Sequence, residues 1–372
     1  MRLAYRLAER KDDPALRRLL ASVAMPGAIT VTFEREPDYF SAMRMAGKEW
    51  QALLAEDADT GELAGVLCRA VQDRFVNGAC ARTAYWGQLR VAEKYHGSVF
   101  LSRAFAFARG VYEKDPRAVN FAVIADGNKV AKQVFAEKHA RIFPPMRPLC
   151  RILTFGMTLG RRWRAGSRRA GPPGEGRFEF ANASEIGLSR IVAFLQETGS
   201  GKQLFPVYDE NYFCECGYDA TGFILAHRKG RIVGVAGLWD QSGCKQTIVR
   251  SYNGALKLAR PFYNLAAPFR GHQPLPNPGE HMCSIYLSFI AVEDNAQDTF
   301  AAMLAEACRQ AFARGFGYLM LGLSEGDPLA ALPRALPHIA YSSTLYTVEL
   351  GSGIPFHTQL DGRIPYIEIA TL

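Results

Sequence analysis

Apolar and polar positions along the chain follow one order, and follow it twice. Gln51-Ala52-Leu53-Leu54-Ala55 passes through a polar turn into Gly61-Glu62-Leu63-Ala64-Gly65-Val66. Phe223-Ile224-Leu225-Ala226 passes through His227-Arg228-Lys229 into Gly230-Arg231-Ile232-Val233-Gly234-Val235. Short apolar runs joined by a charged, glycine-marked turn predict paired strands. A second match follows. Residues 85–91 and 284–292 read as strands, each followed by a polar loop and a helical apolar stretch, at 99–112 and 300–316. Both stretches contain Ala-Phe-Ala-Arg-Gly, at 106–110 and 311–315, and the glycine is expected to end the helix in a left-handed conformation.

The third match is a strand, a turn and a capped helix start. Ala125-Asp126-Gly127-Asn128-Lys129-Val130-Ala131 corresponds to Ser324-Glu325-Gly326-Asp327-Pro328-Leu329-Ala330. Asn128 and Asp327 suit the cap position because a side-chain oxygen there accepts a free backbone N–H. Pro328 suits the first helical position, where its missing N–H costs nothing. Three matches in one order point to an internal repeat.

Between the copies lies Gly160-Arg161-Arg162-Trp163-Arg164-Ala165-Gly166-Ser167-Arg168-Arg169, then Gly171-Pro172-Pro173-Gly174-Glu175-Gly176. Gly and Pro in this density read as a linker, so the expected units are 1–159 and 178–372, joined by 160–177. A length of 372 residues accommodates two such units. The final residues, 360–372, read as a turn and a strand-like segment that extends the second unit beyond the repeated pattern.

Each half therefore reads strand, helix, a long helical or loop segment, hairpin, strand, helix, strand, helix, strand. In the first half the fourth strand and its loop are Gly87-Gln88-Leu89-Arg90-Val91-Ala92-Glu93-Lys94-Tyr95-His96-Gly97-Ser98-Val99, and Asn128 with Ala131 forms an N-x-x-A helix start. This order and these motifs resemble the GNAT superfamily of acyl-CoA-dependent N-acyltransferases. The resemblance implies an α/β (α+β) fold of two tandem GNAT-like domains, each a mixed, mostly antiparallel sheet flanked by helices. It implies acyl transfer from acetyl-CoA or another acyl-CoA to a small-molecule or peptide amine. The coenzyme's pyrophosphate would rest on free N–H groups at a helix start, and its amide-bearing arm would pair with the open edge of the fourth strand.

Carried onto this chain, the resemblance makes Leu89, Arg90, Val91, Tyr95, His96, Gly97, Ser98, Val99, Phe100 and Asn128 the expected coenzyme-binding residues. Tyr85, Gln88 and His139 are the candidates for catalysis. The chain departs from the family pattern in three places. Val99 and Leu101 stand where the first loop has glycines, leaving Gly97 and Ser98 as its small residues. The second loop, residues 292–300, has no glycine and carries Glu293, Asp294 and Asp298, whose charges repel a pyrophosphate. Phe135 occupies the position of the tyrosine that protonates the leaving thiolate, and phenylalanine has no proton to give. The first half is thus the expected donor site.

Charge adds a second donor class. The net charge of +8 favours acidic partners, among them an acyl carrier protein. A non-catalytic protein that keeps the fold is the third reading, and nucleic-acid binding ranks below these because no recognition motif accompanies the arginines. Eight scattered cysteines, with one Cys-x-Cys at 214–216 and no second pair, read as reduced thiols, so no metal is expected. No apolar run approaches the roughly 18 residues of a membrane span, and a charged start without a signal-type segment leads to the expectation of a cytoplasmic protein.

Overall fold

The computed structural model describes residues 2–96, 98–116, 119–133, 135, 144–163, 178–181, 183–351 and 355–372. Its strands are β1 (Leu3–Leu7), β2 (Ile29–Glu34), β3 (Glu49–Asp57), β4 (Leu63–Val76), β5 (Ala79–Val91), β6 (Val119–Ala125), β7 (Met146–Thr158), β8 (Glu179–Ala181), β9 (Phe223–Arg228), β10 (Arg231–Trp239), β11 (Gln246–Tyr252), β12 (Ser284–Val292), β13 (Tyr318–Ser324) and β14 (His338–Val348). The helices are α1 (Asp13–Ser22), α2 (Tyr39–Met43), α3 (Ser98–Glu113), α4 (Lys129–Lys132), α5 (Ala183–Ile186), α6 (Leu188–Gly199), α7 (Glu210–Glu215), α8 (Gly254–Arg270), α9 (Gln297–Ala313) and α10 (Ala331–Ala335).

Twelve strands form one sheet in the order β1-β3-β4-β5-β6-β14-β7-β13-β12-β10-β9-β8, while β2 and β11 pair as a separate ribbon. Both expected hairpins are present, as β3–β4 and β9–β10. The two halves are joined by an exchange. β14, from the second half, pairs with β6 of the first through Ser343↔Ala125 to Thr347↔Phe121. In return β7, from the first half, pairs with β13 through Tyr318↔Thr158 to Ser324↔Ile152. β7 and β14 then pair with each other along their length, His338↔Met157 to Val348↔Met146. A sheet buried on both faces requires nearly continuous apolar strands. β4 and β12 have that character, with buried runs through Ala64–Val71 and Leu287–Val292.

The cap expectations hold. The Asn128 side chain accepts from the Ala131 N–H at 3.0 Å, and Asp327 accepts from the Leu329 N–H at 2.9 Å. Pro328 opens the short turn that follows. The glycine expectation holds for one copy. Gly315 follows α9 with φ 87°, but Gly110 lies inside α3, which runs on to Glu113. Beyond Gly110 the helix places Val111 in a core with Leu53, Leu67 and Trp86. That burial outweighs the roughly 1 kcal/mol a helical glycine costs. The end of the chain is likewise not a strand. Residues 364–372 run as extended backbone into a turn at Ile369–Thr371 and lie against the sheet, tied to Gln203 through Gln203 N–H to Ile364 O and Tyr366 N–H to Gln203 O.

Candidate functional site

β5 and β6 are parallel neighbours that pair for only four residues, Thr83↔Val119 to Trp86↔Ala122. Past Trp86 the two strands separate. The cause is a bulge on β5: its register with β4 shifts between Val66↔Arg90 and Cys68↔Gly87, and Gln88 takes φ 54°. A bulge adds a residue, bends its strand and interrupts pairing. β12 carries the same device, with a register shift against β10 and Phe289 at φ 57°.

The splay between β5 and β6 opens into a cleft with a cavity volume of about 170 Å³. Its walls bring together Gln88, Leu89, Arg90 and Asn128 from the expected set, with Trp86 and Gly87 below and Ala131 and Phe135 on the α4 side. Phe135 packs its ring against Phe105, centroids 5.5 Å apart. The lining is chiefly apolar, with Gln88, Arg90 and Asn128 supplying polarity, the usual make-up of a small-molecule site. Sequence reading did not single out Met25, Met146 or Val348, which close the cleft from β2's approach, β7 and β14. Met146 and Val348 arrive through strand exchange, for which no local pattern exists, and Met25 through the chain between α1 and β2.

The remaining expected residues lie elsewhere. Tyr95 is buried and donates its hydroxyl to Asp57 at 2.9 Å. Phe100 is buried with Ala55 and Ala64. Val91 accepts a contact from the exposed His96, 3.1 Å from its carbonyl. Lys94 is engaged by Glu62 and lies 4.9 Å over the Tyr95 ring. Ser98 opens α3 beside Val99. Gly97 and His139 lie outside the described residues, as do the side chains of Ser98 and Val99 and positions 164–177 of the expected linker.

Tyr85 belongs to the face of β5 opposite Trp86. It packs on Phe121 with ring centroids 5.6 Å apart, in a core with Ile367 and Ile369. Its ring lies flat over Gly87, where a Cβ would sit 2.2 Å from the hydroxyl oxygen. Only glycine permits that approach, and it lets the tyrosine hydroxyl reach the bulge. Burial pushes the Tyr85 hydroxyl up to about 12, so it is protonated throughout the physiological range. Beside it runs a chain of contacts. The Tyr39 hydroxyl is 2.7 Å from Cys68 Sγ, Cys68 faces Gln88 Oε1 at 3.8 Å, and Gln88 Nε2 faces Met43 Sδ at 3.3 Å.

Three cations converge on this face. Arg35 is 4% exposed. The β2–β11 register, Gln246↔Glu34, places the next residues, Lys245 and Arg35, side by side, and Gln246 clamps the backbone of Glu36 with bonds of 2.9 and 3.0 Å. Arg90 lines the cleft, and its Nε is buried without a partner among the described residues. None of the three has a carboxylate partner among the described ion pairs; Lys245 donates instead to the carbonyls of Ala370 and Leu372, both at 2.8 Å. Burial lowers the pKa of Lys245 well below normal, and Arg35 reinforces it. Lys245 nevertheless retains accessible surface and lies 5.5 Å over the Tyr286 ring.

The equivalent place in the second half is filled. Glu368 accepts from the Phe289 N–H at 2.8 Å, and the Ile290 N–H meets the Tyr366 hydroxyl at 3.3 Å. The bulge of β12 is thus occupied by the chain's own residues 366–368. The counterpart of Asn128, Asp327, is also closed off, in a buried ion pair with Lys202 at 2.8 Å. Among the described residues no cluster of metal-ligating side chains occurs, and no helix is long and apolar enough to cross a membrane.

No protein-family model matches the sequence, and neither does any curated protein sequence. Solved structures match over nearly the whole chain. A GCN5-related N-acetyltransferase from Sphaerobacter thermophilus superposes with TM-score 0.54 at 14% identity, covering 95% of this chain and 98% of that one. The N-myristoyltransferase of Saccharomyces cerevisiae, solved with bound myristoyl-CoA, gives 0.57 at 11% identity, over 93% and 82%. A probable N-acyltransferase from Enterococcus faecalis gives 0.51 at 10%, over 94% and 74%. With a splayed, bulged strand pair in each half, the chain has the fold of the GNAT acyl-CoA N-acyltransferases, built as a tandem pair.

Proposed function

We propose that the protein is an N-acyltransferase, that its donor is an acyl-CoA held in the β5–β6 cleft, and that its acceptor amine approaches from the Tyr85 side. The observation that supports this reading is the contrast between the halves: the first bulge opens on a cleft, whereas the second is capped by Glu368 and Tyr366. We take residues 1–159 as the donor unit and 178–372 as its partner, which supplies the wall that carries Lys245 and Tyr286.

In this arrangement the N–H at Gln88 suits the thioester carbonyl, because its counterpart on Phe289 points across its own splay to a carboxylate oxygen. A donor aimed at the carbonyl stabilises the charge that develops on oxygen during attack. The amine nitrogen forms the new C–N bond, the C–S bond breaks, and the amine proton leaves to water. The thiolate is met by a hydroxyl that is still protonated, that of Tyr85. Arg35, Arg90 and Lys245 disfavour an ammonium ion nearby and so favour the free amine, the nucleophilic form. Asn128 and the start of α3 hold the nucleotide end of the donor through N–H groups and polar side chains.

The test is heat protection. Coenzyme A at millimolar concentration raises the unfolding midpoint if the cleft is a donor site. Absence of any shift defeats the reading. A shift produced by an acyl carrier protein, and not by coenzyme A, would transfer the donor role to the carrier, which the +8 net charge also suits.

A further inference from the structure

α8 follows β11 and carries the sequence Gly-Ala-Leu-Lys-Leu-Ala-Arg-Pro-Phe-Tyr-Asn-Leu-Ala-Ala-Pro-Phe-Arg. Leu258, Phe262, Leu265 and Phe269 are 75%, 76%, 73% and 79% exposed. Their spacing of four, three and four residues places all of them on one narrow stripe of the helix. Apart from Lys257 and Arg270, the exposed positions of α8 carry no polar side chain. The opposite face accounts for the helix's attachment. Leu256 and Tyr263 pack on a core of Tyr252 and Tyr318, Ala267 is buried, and Arg260 stacks 5.0 Å over the Tyr252 ring. One side is therefore docked, and the other offers an apolar ridge to the surroundings. Soluble surfaces rarely carry contiguous large apolar side chains without a partner.

Charge selects the partner. Residues 254–270 contain no Asp or Glu. Lys257 and Arg270 flank the stripe on its two sides, and Arg161 and Arg162 stand nearby: Arg161 packs against Gly271, and Arg162 together with Arg270 lowers the pKa of His272 after burial. A symmetric contact with a second copy would bring each of these cations against its own kind. An anionic lipid surface complements the stripe and its flanks together, the pattern of a helix that lies in the interface plane. We propose that α8 is a membrane-docking helix that lays Leu258, Phe262, Leu265 and Phe269 into the surface of an anionic bilayer. The ribbon that carries it also reaches the cleft: β11 pairs with β2, Val31 of β2 bridges Met25, and Met25 lines the cleft wall. The inference is independent of acyl transfer, because it rests on α8 and the cations beside it.

The test is co-sedimentation of the full chain with vesicles made of equal parts phosphatidylcholine and phosphatidylglycerol, compared with pure phosphatidylcholine. Binding to the anionic vesicles is expected, weakened by salt and reduced about tenfold or more by the pair Phe262→Glu and Leu265→Glu with an unchanged unfolding midpoint. Phe262→Trp supplies a second readout, a blue shift of its fluorescence when anionic vesicles are added. No sedimentation of the wild-type chain at low salt overturns the proposal. So does binding that the glutamate pair leaves intact, or a dimer in light scattering that the same pair abolishes, since the stripe would then belong to a second copy.

Discussion

Gln88 and Phe289 hold the same left-handed backbone conformation at the same bulge of two equivalent strands, yet a carboxylate of the chain's own tail accepts from the Phe289 N–H, while among the described residues no side chain accepts from that of Gln88. Two copies of one unit have thus become an open site and a closed one. The closure uses residues 366–368, which belong to neither copy's repeated pattern.

The open cleft predicts a clean steric block. Ala131 is half-buried on its wall. Ala131→Trp fills the cleft from the α4 side and is expected to weaken coenzyme A at least about tenfold, about 1.4 kcal/mol. Isothermal titration of coenzyme A checks this, and an equally large tryptophan at exposed Leu258 serves as the control.

Gly87 sits under the Tyr85 ring, so a methyl group there must push the ring aside. Gly87→Ala is expected to cost about 1–3 kcal/mol in urea unfolding, the usual range for overpacking. Adding Tyr85→Ala removes the clash, so the double variant should show a smaller glycine-to-alanine cost than the single one does.

Glu368 carries the pH prediction. Burial raises its pKa, against the bonds from Phe289, Tyr366 and Ala370 that favour its charge. A carboxyl whose folded pKa is above the unfolded value binds its proton more tightly when folded, so the chain loses stability as pH rises from the unfolded value, 4.5, through the folded one. Glu368→Gln keeps an acceptor for the Phe289 N–H and has no proton to lose. The stability of this variant relative to wild type should therefore grow across that interval and level off above it, as read from urea midpoints at a series of pH values.

Lys202 and Asp327 form an ion pair with side chains 4% and 1% exposed. Lys202→Ala leaves a buried carboxylate without its partner, which costs about 3–5 kcal/mol. Lys202→Arg keeps the charge and should recover much of the loss, a comparison that thermal unfolding resolves.

Tyr85 offers a kinetic test of the proposed chemistry. Tyr85→Phe keeps the ring over Gly87 and removes the hydroxyl. A fall in kcat of about 10²-fold or more with little change in the KM for acyl-CoA is the expected result. An unchanged kcat would remove Tyr85 from the reaction and leave it as packing.

Much of the architecture was written in local pattern. Both hairpins, the two strand–helix pairs and the two capped turns at Asn128 and Asp327 lie where apolar spacing and cap chemistry place them, because each is stabilised by residues near in sequence. Of the expected donor residues, Leu89, Arg90 and Asn128 meet in one cleft, together with the catalytic candidate Gln88. Tertiary structure decided the rest. Tyr95 and Phe100 turned inward because the hairpin above them offered burial, and Gly110 stayed helical because Val111 had a core to reach. The exchange of β7 and β14 and the capping of Phe289 by Glu368 involve partners separated by 79 or more residues. Such pairings depend on which strand edges are left open once each half has formed, and open edges are a property of the assembled sheet. The repeat was therefore legible in sequence, while the difference between its copies, one cleft open and one filled, came from long-range contacts.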